Sequence, residues 1–389
     1  MEPMLISESS GRRGPLADLA LEVAQKSARL GAGLPAGVAL ALADLVRAMN
    51  CYYSNLIEGR DTHPIDIERA LRADFSKDPE KRDLQLEAKA HIATQEWIDA
   101  GGLDGRATTS EGLRETHERF CKLLPEDLLW AKGLQDDERI KVIPGVFREH
   151  YVKVGDHIAI SPGAVPRFMK RFEEAYRKLG KVDAIIAAAT AHHRFAWIHP
   201  FIDGNGRVGR LMSYAMLREA LDTGGIWSIA RGLARSEEEY KRHLAACDLP
   251  RRNDLDGRGT LSEEALASFA RYFLTTCLDQ INFMESLVQP DELRGRMLIW
   301  AEEEVKADRL PPKTGQLLEA ILYRGELPKG DVETLLGVST RTARRLYSAL
   351  IERGVVTSQS KQAPLRLAFP AGLASRWMPG LFPDKKDKD

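Results

Sequence analysis

Apolar residues recur at three- and four-residue spacing along most of this 389-residue chain, the period of an amphipathic helix. Residues 15–31, 36–57, 64–74 and 82–100 follow it, each separated from the next by Gly, Pro or Asp, and they predict an N-terminal helical region. After Gly101-Gly102 the spacing returns at 110–125 and across much of 164–250. Between these lies Gly145 to Gly163, where Tyr-Val-Lys-Val and His-Ile-Ala-Ile alternate around Gly155-Asp156, a pattern that predicts a β-hairpin. From Asp254 to Glu263 the carboxylates follow a calcium-loop spacing, but the first ligand position falls on Arg252, a cation. That stretch therefore reads as a loop before a helix capped by Ser262 and running to about Leu287.

The C-terminal third changes texture. Leu317–Tyr323, Lys329–Leu336 and Thr340–Arg353 predict three short helices, the last two joined across Gly337-Val-Ser339 as in a helix-turn-helix. Val355–Gln359 and Leu365–Phe369 then predict a two-stranded wing. Arg341, Arg344 and Arg345 fall on the last helix, and 311–370 holds nine Lys or Arg against five Asp or Glu, a local net of +4. DNA and protein packing are both open to such a segment. The expected architecture is mainly α. Its expected divisions are 1–109, the N-terminal helices; 110–305, a catalytic domain with a helical extension; 311–370, a winged helix; and 371–389, a tail partly disordered through its Lys- and Asp-rich end from Pro383 to Asp389.

Composition narrows the partners. With 43% hydrophobic residues the chain can bury a large core, and its net charge of −1 argues against bulk electrostatic binding to nucleic acid or membrane. Cys51, Cys121, Cys247 and Cys277 are scattered without metal or redox spacing, so reduced buried thiols are expected. No apolar stretch approaches the roughly 20 residues needed to span a bilayer, and Met1–Glu8 has no basic leader. The expectation is a soluble, cytoplasmic protein with no membrane partner.

The chemistry concentrates in His199-Pro-Phe-Ile-Asp203-Gly-Asn-Gly-Arg207-Val-Gly-Arg210. Asp203-Gly204-Asn205-Gly206 is a turn of residues that tolerate positive φ, able to aim several N–H groups at one anion. A helical pattern follows directly, so this nest would sit at a helix N-terminus, where the macrodipole favours phosphate. Arg207 and Arg210, three apart, can both grip phosphate oxygens. Asp203 offers a hard ligand to Mg²⁺ riding on nucleotide phosphates, and His199 has the pKa for general-base work. His192 and His193, adjacent on a helix, cannot face one ligand and are expected to pack or face solvent.

This string resembles the Fic family signature, His-Pro-Phe-x-Asp/Glu-Gly-Asn-Gly-Arg-x-x-Arg, at every fixed position. The resemblance implies a Fic-type helical core and an adenylyltransferase that moves AMP from ATP to a protein hydroxyl. His199 would deprotonate the Ser, Thr or Tyr hydroxyl. Asp203 would hold Mg²⁺, Asn205 with the backbone of Gly204 and Gly206 would bind the phosphate chain, and Arg207 and Arg210 would hold the β- and γ-phosphates. The resemblance also assigns Tyr240 a place near the nucleotide base, and makes Gly145–Gly163 a flap that aligns the target protein by strand addition. Upstream, Ser54-Asn-Leu-Ile-Glu58-Gly59 fits the family's inhibitory pattern. On a helix Ser54 and Glu58 share a face, and the resemblance implies that Glu58 pairs with Arg210 and blocks the γ-phosphate. Self-modification, a homodimer and the C-terminal winged module are further expectations drawn from the family. The alternative is a DNA-binding regulator in which the Fic domain only senses a nucleotide; an intact His199 favours the enzyme.

Overall fold

The computed structural model describes residues 1–134, 138–222 and 224–383. Two dense units divide the chain: Met1–Ala28, Asn50–Thr223 and Ser228–Ile281 form one, and Arg29–Met49, Gly224–Trp227 and Asn282–Asp389 the other. The division does not fall at 109/110. Helical periodicity marks a helix but not the neighbour that receives its apolar face, and residues 50–109 find theirs in the first unit.

Along the first unit and its edges run α1 (Arg13–Ala32), α2 (Ala36–Ile57), α3 (Pro64–Leu71), α4 (Pro79–Asp99) and α5 (Ser110–Lys122), each within a few residues of its predicted span. A short hairpin, β1 (Trp130–Lys132) with β2 (Arg139–Lys141), precedes the expected one, β3 (Lys153–Val154) with β4 (His157–Ile158). The latter pairs Lys153 with Ile158 and Val154 with His157, and Gly155 makes the turn at φ 58°. Its ladder is shorter than the alternation predicted. There follow α6 (Val165–Tyr176), α7 (Lys181–Ile198), α8 (Asn205–Leu221), α9 (Ala230–Arg235), α10 (Glu237–Cys247) and α11 (Glu263–Val288).

Helix α7 is the buried axis of this unit. Every residue from Ile185 to Phe195 is buried, polar ones included, which a helix tolerates only when each polar group finds a partner. His192 lies 2.8 Å from Ser213 Oγ and 2.7 Å from Tyr240 Oη, and His193 Nε2 lies 2.9 Å from Asp248 Oδ1. Both histidines are thus core residues. Helices α7 and α8 pack side by side, so the segment 199–204 is a tight connection between two core helices. The loop before α11 is organised by buried Asp256, whose carboxylate accepts from Ser262 Oγ and the Glu264 N–H at 3.0 and 2.8 Å, while Ser262 Oγ caps the Ala265 N–H. Its Oδ1 serves the helix end, and its Oδ2 accepts the Arg252 N–H within the loop at 3.1 Å.

The second unit continues with α12 (Pro290–Lys306), α13 (Thr314–Arg324), β5 (Glu326–Leu327), α14 (Asp331–Leu336), α15 (Thr340–Glu352), β6 (Val356–Thr357), β7 (Leu365–Leu367) and α16 (Ala374–Trp377). The sheet has a third strand that the sequence did not suggest, with order β5-β7-β6 and both pairings antiparallel. Leu317, Leu336, Leu346, Leu350 and Leu365 fill the centre. Residues after 370 pack as well: Trp377 is buried with its ring edge-on to Trp300 at 5.2 Å. Of the expected disordered end, residues 384–389 lie outside those described. No described helix is long and apolar enough to cross a membrane.

Candidate active site

Helix α7 ends where His199 turns left-handed, at φ 52° and ψ 62°, its N–H still bonded to Phe195 O. Pro200 cannot continue the helix. Helix α8 begins after Gly204 at φ 79°, with no side chain capping it. Its first N–H groups therefore point at the space ahead of the helix with no intrahelical acceptor. Asn205 braces the turn rather than facing it: its amide accepts from Phe201 N–H and donates to Phe201 O, both at 2.9 Å.

The charged groups gather on this end of α8. Arg210, buried, donates through Nε to Ser54 Oγ at 2.8 Å and through Nη2 to Ser54 O at 3.0 Å and Glu58 Oε1 at 2.5 Å. The same Glu58 oxygen sits against Gly206, where any Cβ would collide with it. Arg207 is also buried, its guanidinium over the Phe120 ring at 4.7 Å, 3.5 Å from Asp203 and 3.7 Å from Glu87. Its Nε and Nη1 have no hydrogen-bond partner. Unspent donors on a buried arginine are costly unless an anion meets them. Asp203 is the most open group of the set, its side chain 53% exposed.

Burial, the largest influence on Glu58, disfavours its charge, yet Arg210 and then Arg207 and His199 outweigh it and hold the carboxyl below its ordinary range. Glu58 stays ionised at neutral pH. Burial likewise brings His199 down to about 4, so its imidazole is neutral. With Nδ1 3.3 Å from Ala196 O, the proton belongs on Nδ1, leaving the Nε2 lone pair to accept another.

Two residues that sequence reasoning missed hold this geometry. Buried Arg148 donates to four carbonyls, those of His199 at 2.7 Å, Ile160 at 2.6 Å, His150 at 3.0 Å and Ile198 at 3.3 Å, and its own N–H reaches Pro200 O at 2.9 Å. It clamps both feet of the β3–β4 hairpin to the His199 turn. His117 on α5 accepts the Gly145 N–H at Nδ1 (2.9 Å), which makes Nε2 the donor to Asp203 O at 3.2 Å, and its ring stacks on Phe201 at 4.0 Å. Their partners are mostly backbone atoms of distant segments, which leave no spacing to read, although Arg148 does lie within the hairpin segment. Tyr240 is buried behind Arg210 with its hydroxyl on His192, in the second rank of the site.

Residues 108–217 match the model of the Fic/DOC family. The chain carries a Fic domain. Relatives named protein adenylyltransferase Fic are similar over part of their length. That of Drosophila willistoni is 40% identical over 171 residues, covering 43% of this chain and 31% of that protein. That of Drosophila erecta is 41% identical over 78 residues, covering 20% and 16%. The matched stretch thus spans about a third or less of these relatives. Among solved structures, a Fic family protein from Desulfovibrio desulfuricans superposes with TM-score 0.51 at 20% identity, over 94% of this chain and 98% of that one. Fic-1 from C. elegans gives 0.52 at 17%, over 71% and 74%. The Fic-type, mainly helical fold expected from the sequence is the fold observed.

Proposed function

We propose that this chain is an autoinhibited protein adenylyltransferase, transferring AMP from ATP to a Ser, Thr or Tyr hydroxyl of a protein and releasing pyrophosphate. The observation that carries it is the convergence, on one uncapped helix end, of a neutral base at His199, unspent Arg207 donors and the open carboxylate of Asp203. Similarity to relatives named protein adenylyltransferase Fic supports the choice of AMP as the transferred group.

In the proposed reaction the acceptor oxygen attacks the α-phosphorus, His199 Nε2 takes the hydroxyl proton, and the bond from the α-phosphorus to the pyrophosphate oxygen breaks. Phosphoryl chemistry of this kind depends mostly on positioning and charge neutralisation. The N–H groups of the α8 terminus and Arg207 would take the phosphate chain, and Arg210 its far end. A half-open carboxylate beside a phosphate nest fits a magnesium ion that keeps several waters and rides on the nucleotide. Asp203 would hold Mg²⁺, which when bound supplies neutralisation of phosphate charge. The target would dock on the hairpin, where Val154 and Ile158 are exposed apolar residues on a two-stranded ladder open to strand addition and exposed Tyr151 lies just before it. A second copy of this chain is one such target.

Autoinhibition is proposed from Glu58. An ionised carboxylate on Arg210 and against Gly206 sits where the terminal phosphate would need the same cation. The test is to incubate Glu58→Gly and Mg²⁺ with ATP labelled on either the α- or the γ-phosphate. Label entering protein from the α position alone supports AMP transfer; label entering from the γ position alone makes the protein a kinase and overturns the proposal.

A further inference from the structure

Residues 311–370 hold nine basic residues, and the fold uses some of them for itself. Arg353 is paired with Glu304 and Arg366 with Glu326. Lys313 donates to Leu336 O at the end of α14, and Lys329 to Ser360 O and Lys361 O in the β6–β7 loop, at 2.9 and 3.1 Å. Arg341, Arg344 and Arg345 are different. All three are exposed on α15, and none has a carboxylate partner among the described residues. Ala343, Leu346 and Leu350 on the opposite face are buried. Three uncompensated guanidinium groups at i, i+3 and i+4 make one cationic stripe, which like-charge repulsion leaves unfavourable unless an anion covers it.

The stripe is framed. Ser339 caps the start of α15, accepting the Thr342 N–H, and α14 precedes it across Gly337 at φ 58°. Strand β6 packs on α15, and the β6–β7 loop is a built structure, with Ser358 Oγ donating to Ser360 O at 2.9 Å and Ala363 O at 2.8 Å, and it exposes Gln359, Lys361 and Gln362. We propose that α15 enters the major groove of duplex DNA through Arg341, Arg344 and Arg345, with the β6–β7 loop laid on the flanking backbone. A helix bearing arginines fits a groove about 12 Å wide and can read guanine edges; the deep, narrow groove of duplex RNA would not admit it. Charge complementarity selects an acidic partner, and exposed Lys361 on the β6–β7 loop suits a backbone that continues past the groove. This function goes beyond nucleotide transfer and does not depend on it.

The experiment uses the full chain and a fluorescent pool of randomised duplexes of about 20 bp, two helical turns. Binding is read by anisotropy across a salt series, with a matched RNA duplex in parallel. The variant Arg341→Ala/Arg344→Ala/Arg345→Ala is compared with Lys77→Ala/Lys81→Ala/Arg82→Ala, which removes the same charge from exposed positions of the first unit. Wild type and the second variant are expected to bind DNA alike. The first variant should bind about tenfold or more weakly, with a log–log salt slope shallower by about 2 to 3. Because these side chains are exposed and make no ion pair among the described residues, its urea melt should match wild type. Absence of DNA binding by wild type, an unchanged slope in the arginine variant, or equal affinity for the RNA duplex would each overturn the proposal.

Discussion

Glu58 Oε1 lies 2.5 Å from Arg210 Nη2 across 152 residues of sequence, and Ser54, one turn earlier on α2, takes the other edge of the same guanidinium. The end of α2 thus occupies a cation on α8, the one that the proposed function assigns to the far end of the phosphate chain.

Removing that carboxylate should trade stability for nucleotide binding. Glu58→Gly leaves Arg210 partnered by Ser54 but loses an ion pair whose carboxylate is 35% exposed, a contribution held to roughly 1 kcal/mol by solvent screening. The unliganded variant should melt a few degrees below wild type, and ATP with Mg²⁺ should raise its melting temperature by more than it raises that of wild type. Equal ATP shifts would mean Glu58 does not compete with the nucleotide. Ser54→Ala, which removes only the Oγ contact, is expected to give a smaller effect in the same direction.

Arg148 should behave as a positioning residue. Loss of its guanidinium leaves the carbonyls of Ile198, His199, His150 and Ile160 without that donor, a penalty on the order of 2–4 kcal/mol for a buried charged hydrogen-bond set. In a Glu58→Gly background, Arg148→Ala should cut the transfer rate by up to about a hundredfold through misplacement of the His199 turn. Arg148→Lys should rescue little, since an ammonium cannot fork across the set. ATP affinity, read by equilibrium binding, should change far less than the rate; a parallel loss of both would mean that the whole site has collapsed.

Much of this site was legible because it is contiguous. From His199 to Arg210 the chain order is the site order, so residue types alone predicted a nest at a helix start, and α8 begins at Asn205. The Glu58–Arg210 contact was expected from the family resemblance, while helix spacing by itself said only that Ser54 and Glu58 share a face. Asn205 shows where type and role part: its amide is spent on Phe201. Arg148 and His117 were not legible, since what they hold is largely backbone on segments far away in sequence. Gly206 was assigned to the phosphate chain, and the structure adds a reason that needs space: it leaves room for the Glu58 oxygen. The third strand of the C-terminal sheet escaped because Glu326-Leu327 is too short to carry a period.

The buried histidines give the protein an acid limit. Burial lowers His91 and His192 to about 3, and His117, His193 and His199 to about 4, against 6.5 in the unfolded chain. Between pH 6.5 and 4 the unfolded state binds more protons, so stability is full above 6.5 and falls as the pH drops. Each group contributes up to about 1.4 kcal/mol per pH unit. His157 opposes this: Asp248 raises its pKa despite burial, so its contribution is present at low pH and is lost as pH rises through its folded value. One group cannot offset five. Urea midpoints should therefore fall steeply from pH 6.5 to 4.5; a level profile across that range would contradict neutral burial.

The most direct measurement follows label from the α-phosphate of ATP into protein, the enzyme band included, for wild type, Glu58→Gly and Glu58→Gly/His199→Ala with Mg²⁺ and a cell lysate. Weak label in wild type, strong label in Glu58→Gly and none in the double variant is the expected result. No label in any of the three, or full label in the protein lacking His199, would contradict AMP transfer driven by that base.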